Sequence, residues 1–140
     1  QGGSSHTDLP IRNIYYPNHG IGQAGPAALL ASYTWQHDSL RWDSLEEPER
    51  IRRALDNLAR LHGDQVYEEF TGGTSYSWLR DPLAMGAYAM FEAGQEAELV
   101  RYFDRPEGRL DFAGEHLSLN HGWIQGAIES AIRAAVRLNS

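Results

Sequence analysis

The chain has 140 residues, a length that allows one domain with a hydrophobic core but hardly two. With 41% hydrophobic and 22% charged residues, its composition is that of a globular protein. The formal net charge is −7 and all 12 basic residues are arginine, which argues against a nucleic-acid partner because affinity for phosphate backbones is mostly cationic. No apolar run is long enough to span a membrane. The lack of cysteine excludes disulfides, thiolate metal ligands and cysteine nucleophiles.

The first part of the chain predicts two strands and a short helix. Residues 12–16 ("RNIYY") are typical of a short strand that ends at a Pro-Asn turn. Residues 27–35 ("AALLASYTW") are apolar on both faces, which predicts a buried strand of a mixed sheet. Residues 37–42 then predict a short helical turn.

A longer amphipathic helix is predicted within "SLEEPERIRRALDNLARLHG". Its apolar residues recur at helical spacing, at Ile51, Leu55, Leu58 and Leu61. Ser44 and Glu47 predict a capping box at its start, and Gly63 predicts its end.

The rest of the chain predicts a long irregular segment between regular elements. Residues 66–70 predict a strand and residues 87–91 an extended segment within a loop whose aromatic content favours a functional role. Further along, we expect a helix over 95–103, a turn, a strand over 109–113 and an apolar helix over 123–138. Small residues let this last helix approach a sheet closely, namely Gly126, Ala127, Ala131 and Ala134.

The strand, loop and helix over "DFAGEHLSLNHGWIQG" contain the residues best suited to hold a ligand. Gly114 follows the strand and lets backbone amides approach, and Glu115 can accept hydrogen bonds from hydroxyl groups. The last helix directs free amides and its positive dipole end at whatever precedes it, beside Gly122 and the flat side chain of Trp123. A large, planar, electron-rich ligand fits this set. An ordinary turn followed by a packed helix N-terminus would use the same residues, and the pattern alone leaves both interpretations open.

This segment resembles the C-terminal signature of the flavin-dependent amine oxidase superfamily. The likeness lies in Phe-Ala-Gly-Glu, a short loop, Gly-Trp and the helix sequence Gly-Ala-Ile-Glu-Ser. More narrowly, "GGSSHTDLPIRNIYYPNHG", "SYTW" and "SWLRDPLAMGAYAMFEAGQ" resemble the L-amino-acid oxidases, in order and over nearly the whole chain. The resemblance implies a mixed fold, α+β or α/β, that is the C-terminal part of a two-domain flavin amine oxidase. Residues 1–77 would be mainly a substrate-domain segment that contributes strands, and residues 78–140 would complete the FAD-binding domain.

The resemblance also implies roles for individual residues toward FAD and an amino-acid substrate. The expected FAD-binding residues are Trp78, Gly114, Glu115, Gly122, Trp123, Ile124 and Ala127. The expected substrate-binding residues are Tyr88, Gly122 and Trp123, with the Gly122 carbonyl accepting from the substrate amino group. A packing role for Tyr88 remains open, as does the choice between acid–base and packing roles for His121. No residue is assigned as a nucleophile, and no histidine spacing indicates a metal site.

The implied reaction is oxidative deamination of an L-amino acid to a 2-oxo acid, ammonia and hydrogen peroxide, with dioxygen as the oxidant. Several parts expected of such an enzyme are missing, because the chain contains no lysine and no genuine dinucleotide fingerprint. The string "GIGQAG" at residues 20–25 is followed by Pro26 and a predicted strand instead of the required helix. We therefore expect activity only together with an N-terminal chain of the same oxidase, and a dimer of such assemblies.

The polar opening "QGGSSHTDLP", without methionine, indicates either proteolytic processing or an artificial truncation. Two alternative functions stay open: a fragment of a monoamine or polyamine oxidase, and a non-catalytic chain that keeps the fold for assembly or regulation. Secretion is expected because peroxide is safer outside the cell, with a cytoplasmic location as the alternative.

Overall fold

A computed structural model describes residues 2–139, so that Gln1 and Ser140, at the outer ends of the two predicted segments, lie outside the described residues. The chain divides into two compact units, one up to Ser77 and one from Trp78. Helices are combined with a small sheet, which confirms a mixed class. The assignment of residues 1–77 to a substrate domain and of residues 78–140 to an FAD-binding domain stays a prediction.

The first unit contains a two-stranded sheet and three helices. These are β1 (Gly3–His6), β2 (Asn13–Tyr16), α1 (Gln36–Asp43), α2 (Glu47–His62) and α3 (Gln65–Glu68). The strands are antiparallel, with Gly3 opposite Tyr16 and His6 opposite Asn13. The strand predicted at 12–16 and the two helices predicted at 37–42 and within 44–63 are thereby confirmed, whereas β1 was not predicted.

The core of this unit lies between the β2 region and the two longer helices. Ile11, Ile14, Trp42 and Leu58 are buried there. The indole N–H of Trp42 donates to the carbonyl of Pro10 at 3.0 Å, so the polar edge of this buried ring is satisfied.

Helix α2 ends as predicted but begins differently. Gly63 follows its last residue with φ 87°, a left-handed conformation that glycine adopts without strain. The predicted capping box is wrong, because the residue at the N-cap is Glu46 and its side chain makes no cap hydrogen bond. The Glu47 carboxylate instead accepts from the Thr74 hydroxyl at 3.0 Å and the Ser75 N–H at 2.8 Å.

The strands predicted at 27–35, 66–70 and 109–113 are wrong. Residues 27–35 form no strand, and only Leu30 pairs with Tyr15. Most of the stretch predicted as the second strand belongs to the short helix α3. In the third stretch only Leu110 pairs, with Glu107 across the predicted turn. A strand needs a neighbour for its backbone groups, and within residues 2–139 the only paired strands are β1 and β2.

The second unit is built from short helices around one long helix. These are α4 (Gln95–Leu99), a 3-10 helix (Val100–Tyr102), a second 3-10 helix (Glu115–Leu117) and α5 (Ile124–Leu138). The helix predicted over 95–103 is confirmed as α4 and its 3-10 extension, and the last helix is confirmed. Residues 87–91 form no strand.

Helix α5 packs onto the second 3-10 helix instead of the expected sheet. Of the four small residues predicted to allow close packing, Gly126 and Ala134 are buried, Ala127 is half-buried and Ala131 is exposed. The buried residues of α5 are Gly126, Ser130 and Ala134, one helical turn apart. Two arginines hold its far end: Arg137 binds both oxygens of Asp111, at 3.1 and 2.6 Å, and Arg133 binds Asp104 at 2.6 Å. The hydrogen bonds from Arg137 lower the pKa of Asp111 below its ordinary value. No helix of the described part is long and apolar enough to cross a bilayer.

Candidate functional site

The carboxylate of Glu115 joins three segments of the second unit. Its Oε1 accepts the N–H of Ala89 at 2.7 Å, and its Oε2 accepts the N–H of Gly122 at 2.9 Å. Glu115 itself begins the second 3-10 helix. One side chain therefore holds the irregular 88–90 segment and the start of the Gly122 turn to the same short helix.

The same connection brings two of the predicted substrate-binding residues together. Gly122 has φ 75°, and a Cβ placed on it would meet the ring of Tyr88 at 3.4 Å. The Tyr88 ring thus lies against the open face of Gly122. A glycine is favoured here both by the left-handed backbone and by the nearby ring.

The start of α5 presents backbone donors beside exposed apolar side chains. Trp123 is the N-cap residue, and its side chain makes no cap hydrogen bond. Trp123 is 68% exposed, and the next residue, Ile124, is 78% exposed. The first amides of a helix have no intrahelical acceptor, and the dipole makes this end favourable to negative charge. Ala127, in the same first turn, is half-buried.

Gly114 is half-buried and bonded to helix α5. Its N–H donates to the hydroxyl of Ser130 on α5 at 2.8 Å. Ser118 is buried, and its hydroxyl donates to the Glu115 carbonyl at 2.7 Å and accepts the N–H of Asn120 at 3.1 Å. Sequence reasoning missed both serines, although the spacing of Gly126, Ser130 and Ala134 at every fourth residue could have indicated a buried helix face.

His121 directly precedes Gly122 in the chain. Its Nε2 is buried and has no hydrogen-bond partner among the described residues. The ring meets the Phe91 ring edge-on, with centroids 4.4 Å apart. These contacts are those of a packed residue.

Trp78 is exposed at the start of the unit and is not among the residues that the Glu115 contacts bring together. Within the described part of the chain, no group of three or more histidine, aspartate or glutamate side chains could hold a metal ion.

The family model for flavin containing amine oxidoreductases matches residues 1–139. The chain belongs to this family. Members are flavin-dependent oxidoreductases, and membership implies FAD as the cofactor.

Individual relatives are similar over nearly the whole chain. YobN of Bacillus subtilis (strain 168), whose name assigns it provisionally to the L-amino-acid oxidases, is 56% identical over 138 residues, covering 99% of this chain and 29% of its own. The "L-glutamate oxidase precursor" of Streptomyces diastatochromogenes is 47% identical over 129 residues, covering 91% of this chain and 20% of its own. The "L-amino-acid oxidase" of Siganus canaliculatus is 42% identical over 140 residues, covering 99% of this chain and 27% of its own. The chain thus spans less than a third of the length of these relatives.

The residues at the start of α5 fit one side of a flavin. A flavin ring offers flat apolar faces and an edge of hydrogen-bond acceptors. Trp123 and Ile124 provide exposed apolar surface, and the first-turn amides provide donors without a side-chain cap. By contrast, the Gly114 N–H already donates to Ser130, and each carboxylate oxygen of Glu115 already accepts one hydrogen bond from a backbone N–H. A carboxylate oxygen can accept a second hydrogen bond, so Glu115 stays compatible with the predicted FAD contact.

Proposed function

We propose that this chain forms part of the FAD-binding and substrate-binding region of an L-amino-acid oxidase. The proposed overall reaction is L-amino acid plus dioxygen and water giving 2-oxo acid, ammonia and hydrogen peroxide. The observation that carries the proposal is the 42–56% identity, over 91–99% of this chain, to relatives named as oxidases of amino acids. The exposed, uncapped start of α5 is consistent with it.

The proposed roles of the residues follow from their positions. The first-turn amides of α5, Ile124 among them, would hold the acceptor edge of the flavin, and Ala127 would line the same turn. Trp123 would form an apolar wall for both flavin and substrate. FAD, when bound, would supply the chemistry by accepting two electrons and a proton from the substrate Cα–H and passing them to dioxygen. This chain then needs only to bind and orient, and to place favourable dipoles near negative charge.

Substrate contacts are proposed for the Gly122 turn and the adjoining aromatic residue. The Gly122 carbonyl would accept from the substrate amino group, and Tyr88 would contact the substrate side chain. Tyr88 is partly exposed and lies against Gly122, so one residue pair could contact both ends of an amino acid. Trp78, Gly114 and Glu115 are proposed to complete the FAD contacts on this side.

We further propose that the rest of the FAD site comes from polypeptide outside these 140 residues. Helix α5 supports this with an apolar stripe at every fourth residue, in which Ile124, Ile128, Ile132 and Val136 are each more than half exposed. Apolar surface of this extent indicates a contact surface. The covering polypeptide would be the dinucleotide-binding part of the same oxidase, on a separate N-terminal chain or on the same chain, in a two-domain fold that assembles as a dimer.

Export of the oxidase is part of the proposal. Two relatives, from Streptomyces diastatochromogenes and Streptomyces viridosporus, carry the word "precursor" in their names. Fractionation of cells that produce the protein would test it. Recovery of the oxidase in the medium would support secretion, and recovery only inside the cells would contradict it.

A turnover panel tests the function itself. The flavin-loaded protein that contains this chain is incubated with each common L-amino acid, the matching D-amino acids, and primary amines and polyamines, and peroxide is measured. We expect peroxide with L-amino acids and little with the other compounds. Turnover confined to amines would favour a monoamine or polyamine oxidase. A colourless protein without a flavin absorption band would favour a non-catalytic chain.

A further inference from the structure

Glu115 holds the backbone at two of the predicted substrate-binding residues, Tyr88 and Gly122, which lie outside helices and strands. The segment around Tyr88 belongs to no helix or strand, so its backbone lacks the repeating hydrogen bonds that would fix it. One residue after Tyr88, the N–H of Ala89 donates to Glu115 at 2.7 Å. Hydrogen bonds to an ionised acceptor are shorter and stronger than neutral ones, which makes this an effective tie.

The second oxygen of the same carboxylate holds the start of the Gly122 turn. It accepts the N–H of Gly122 at 2.9 Å, and Gly122 directly precedes Trp123. The Tyr88 ring lies on the open face of Gly122. A shift of the 88–90 segment would therefore change the separation between the Tyr88 ring and the Gly122 turn.

The chemistry of this connection requires a carboxylate. Two backbone N–H donors need two separate acceptor oxygens, which an ionised glutamate provides. Glutamine has a single oxygen, and its amide N–H₂ would face one of the two backbone donors. A glutamine at this position could thus keep one of the two hydrogen bonds, but its amide N–H₂ would oppose the other backbone N–H.

From this arrangement we propose that Glu115 is a positioning residue that sets the substrate side-chain selectivity of the oxidase, by fixing Tyr88 against the Gly122 turn. The inference rests on the proposed function and adds a role to the expected contact with FAD. Glu115 acts here through Tyr88 and does not need to touch the substrate. The two roles predict different results: a flavin contact affects all substrates alike, whereas a positioning contact changes their relative rates.

The test is a double-mutant cycle in the flavin-loaded protein that contains this chain. The variants are Glu115→Gln, Tyr88→Ala and the double variant, with Glu96→Gln on an exposed face of α4 as the matched control. For each, kcat/KM is measured with L-phenylalanine and L-alanine, and flavin content is measured from the visible absorption. The quantity that tests the proposal is the ratio of the two kcat/KM values.

We expect Glu115→Gln to change this ratio about tenfold, the consequence of losing one charge-assisted hydrogen bond. The control should leave the ratio unchanged. With Tyr88 already replaced by alanine, adding Glu115→Gln should change the ratio little, because residues that act through one another are not additive. An unchanged ratio in Glu115→Gln, with or without loss of flavin, would overturn the inference, as would additive effects in the double variant.

A second variant covers the case in which Glu115→Gln fails to fold. Ala89→Pro removes the N–H that binds Glu115 and leaves the carboxylate available to FAD. Ala87→Pro introduces the same residue at a position whose N–H is not bound to Glu115. We expect a changed selectivity ratio with full flavin content only in Ala89→Pro, and equal ratios in the two proline variants would contradict the inference. Failure of the proposed function is seen separately, as absence of peroxide from the unsubstituted protein with every amino acid.

Discussion

Replacing Gly126 by alanine tests the close packing that positions the start of α5. A Cβ at this position would lie closer than 3.0 Å to the Ser118 hydroxyl and to the backbone carbonyl oxygen of Asn120. The carbonyl belongs to the backbone of the turn, and the buried hydroxyl takes part in two hydrogen bonds, so neither can move freely. The substitution should push the first turn of α5 away from residues 118–120.

The size of the effect follows from three contributions. Overpacking costs about 1–3 kcal/mol, and disturbing the two Ser118 hydrogen bonds costs about 1 kcal/mol each. Alanine recovers about 1 kcal/mol through its higher helix propensity. The free energy of unfolding should therefore fall by about 2–4 kcal/mol.

Urea denaturation followed by circular dichroism would measure this change. Gly86→Ala is the matched control, because a Cβ there meets nothing within 4 Å. Its free energy of unfolding should stay within about 0.5 kcal/mol of the unsubstituted protein. A Gly126→Ala protein as stable as the control would refute the close contact between α5 and the turn.

Three further predictions concern pH, acid–base chemistry and the aromatic wall. Hydrogen bonds from Arg52, and to a smaller extent from Arg53, lower the pKa of Glu49 from 4.5 to about 2. Because this pKa is lower in the folded than in the unfolded protein, the ion pairs stabilise the fold above pH 4.5, and this stabilisation is lost as the pH falls toward 2. Urea titrations should accordingly show Glu49→Gln destabilised relative to the unsubstituted protein at neutral pH and converging with it near pH 2. The His121→Phe variant should keep the turnover of the unsubstituted protein, because the ring packs on Phe91 and its buried Nε2 has no hydrogen-bond partner among the described residues. A fall in kcat of about a hundredfold or more would instead make His121 an acid–base catalyst. Trp123→Ala should lower peroxide turnover by about tenfold or more with little change in melting temperature, because its side chain is mostly exposed; unchanged rates would remove Trp123 from the site.

Helices were predicted better from this sequence than strands, for a physical reason. A helix such as α2 satisfies its own backbone hydrogen bonds, so its apolar stripe and the terminating Gly63 suffice to define it. A strand needs a partner that local sequence does not specify. The apolar pattern of residues 27–35 and 109–113 predicted strands, but in the described chain each stretch pairs through one residue only, Leu30 and Leu110. The same reasoning missed β1, whose polar sequence gives no alternation.

The candidate site shows a similar division between local and tertiary information. The resemblance selected Tyr88 and Gly122, which lie together in the structure, and the start of α5, which is open to a ligand. The resemblance did not indicate that the Glu115 carboxylate would accept hydrogen bonds from the backbone N–H groups of Ala89 and Gly122. Those contacts depend on how a 3-10 helix and an irregular loop come together, and neither carries a repeating pattern that sequence reasoning can use.

The most direct test of the central claim is an experimental structure of the flavin-loaded protein that contains this chain. The claim is that the first-turn amides of α5 hold the flavin. We predict flavin acceptor atoms within hydrogen-bond distance of these amides, about 2.7–3.2 Å, with Trp123 in contact with the ring. A flavin bound elsewhere, with the start of α5 covered by protein side chains, would contradict the account.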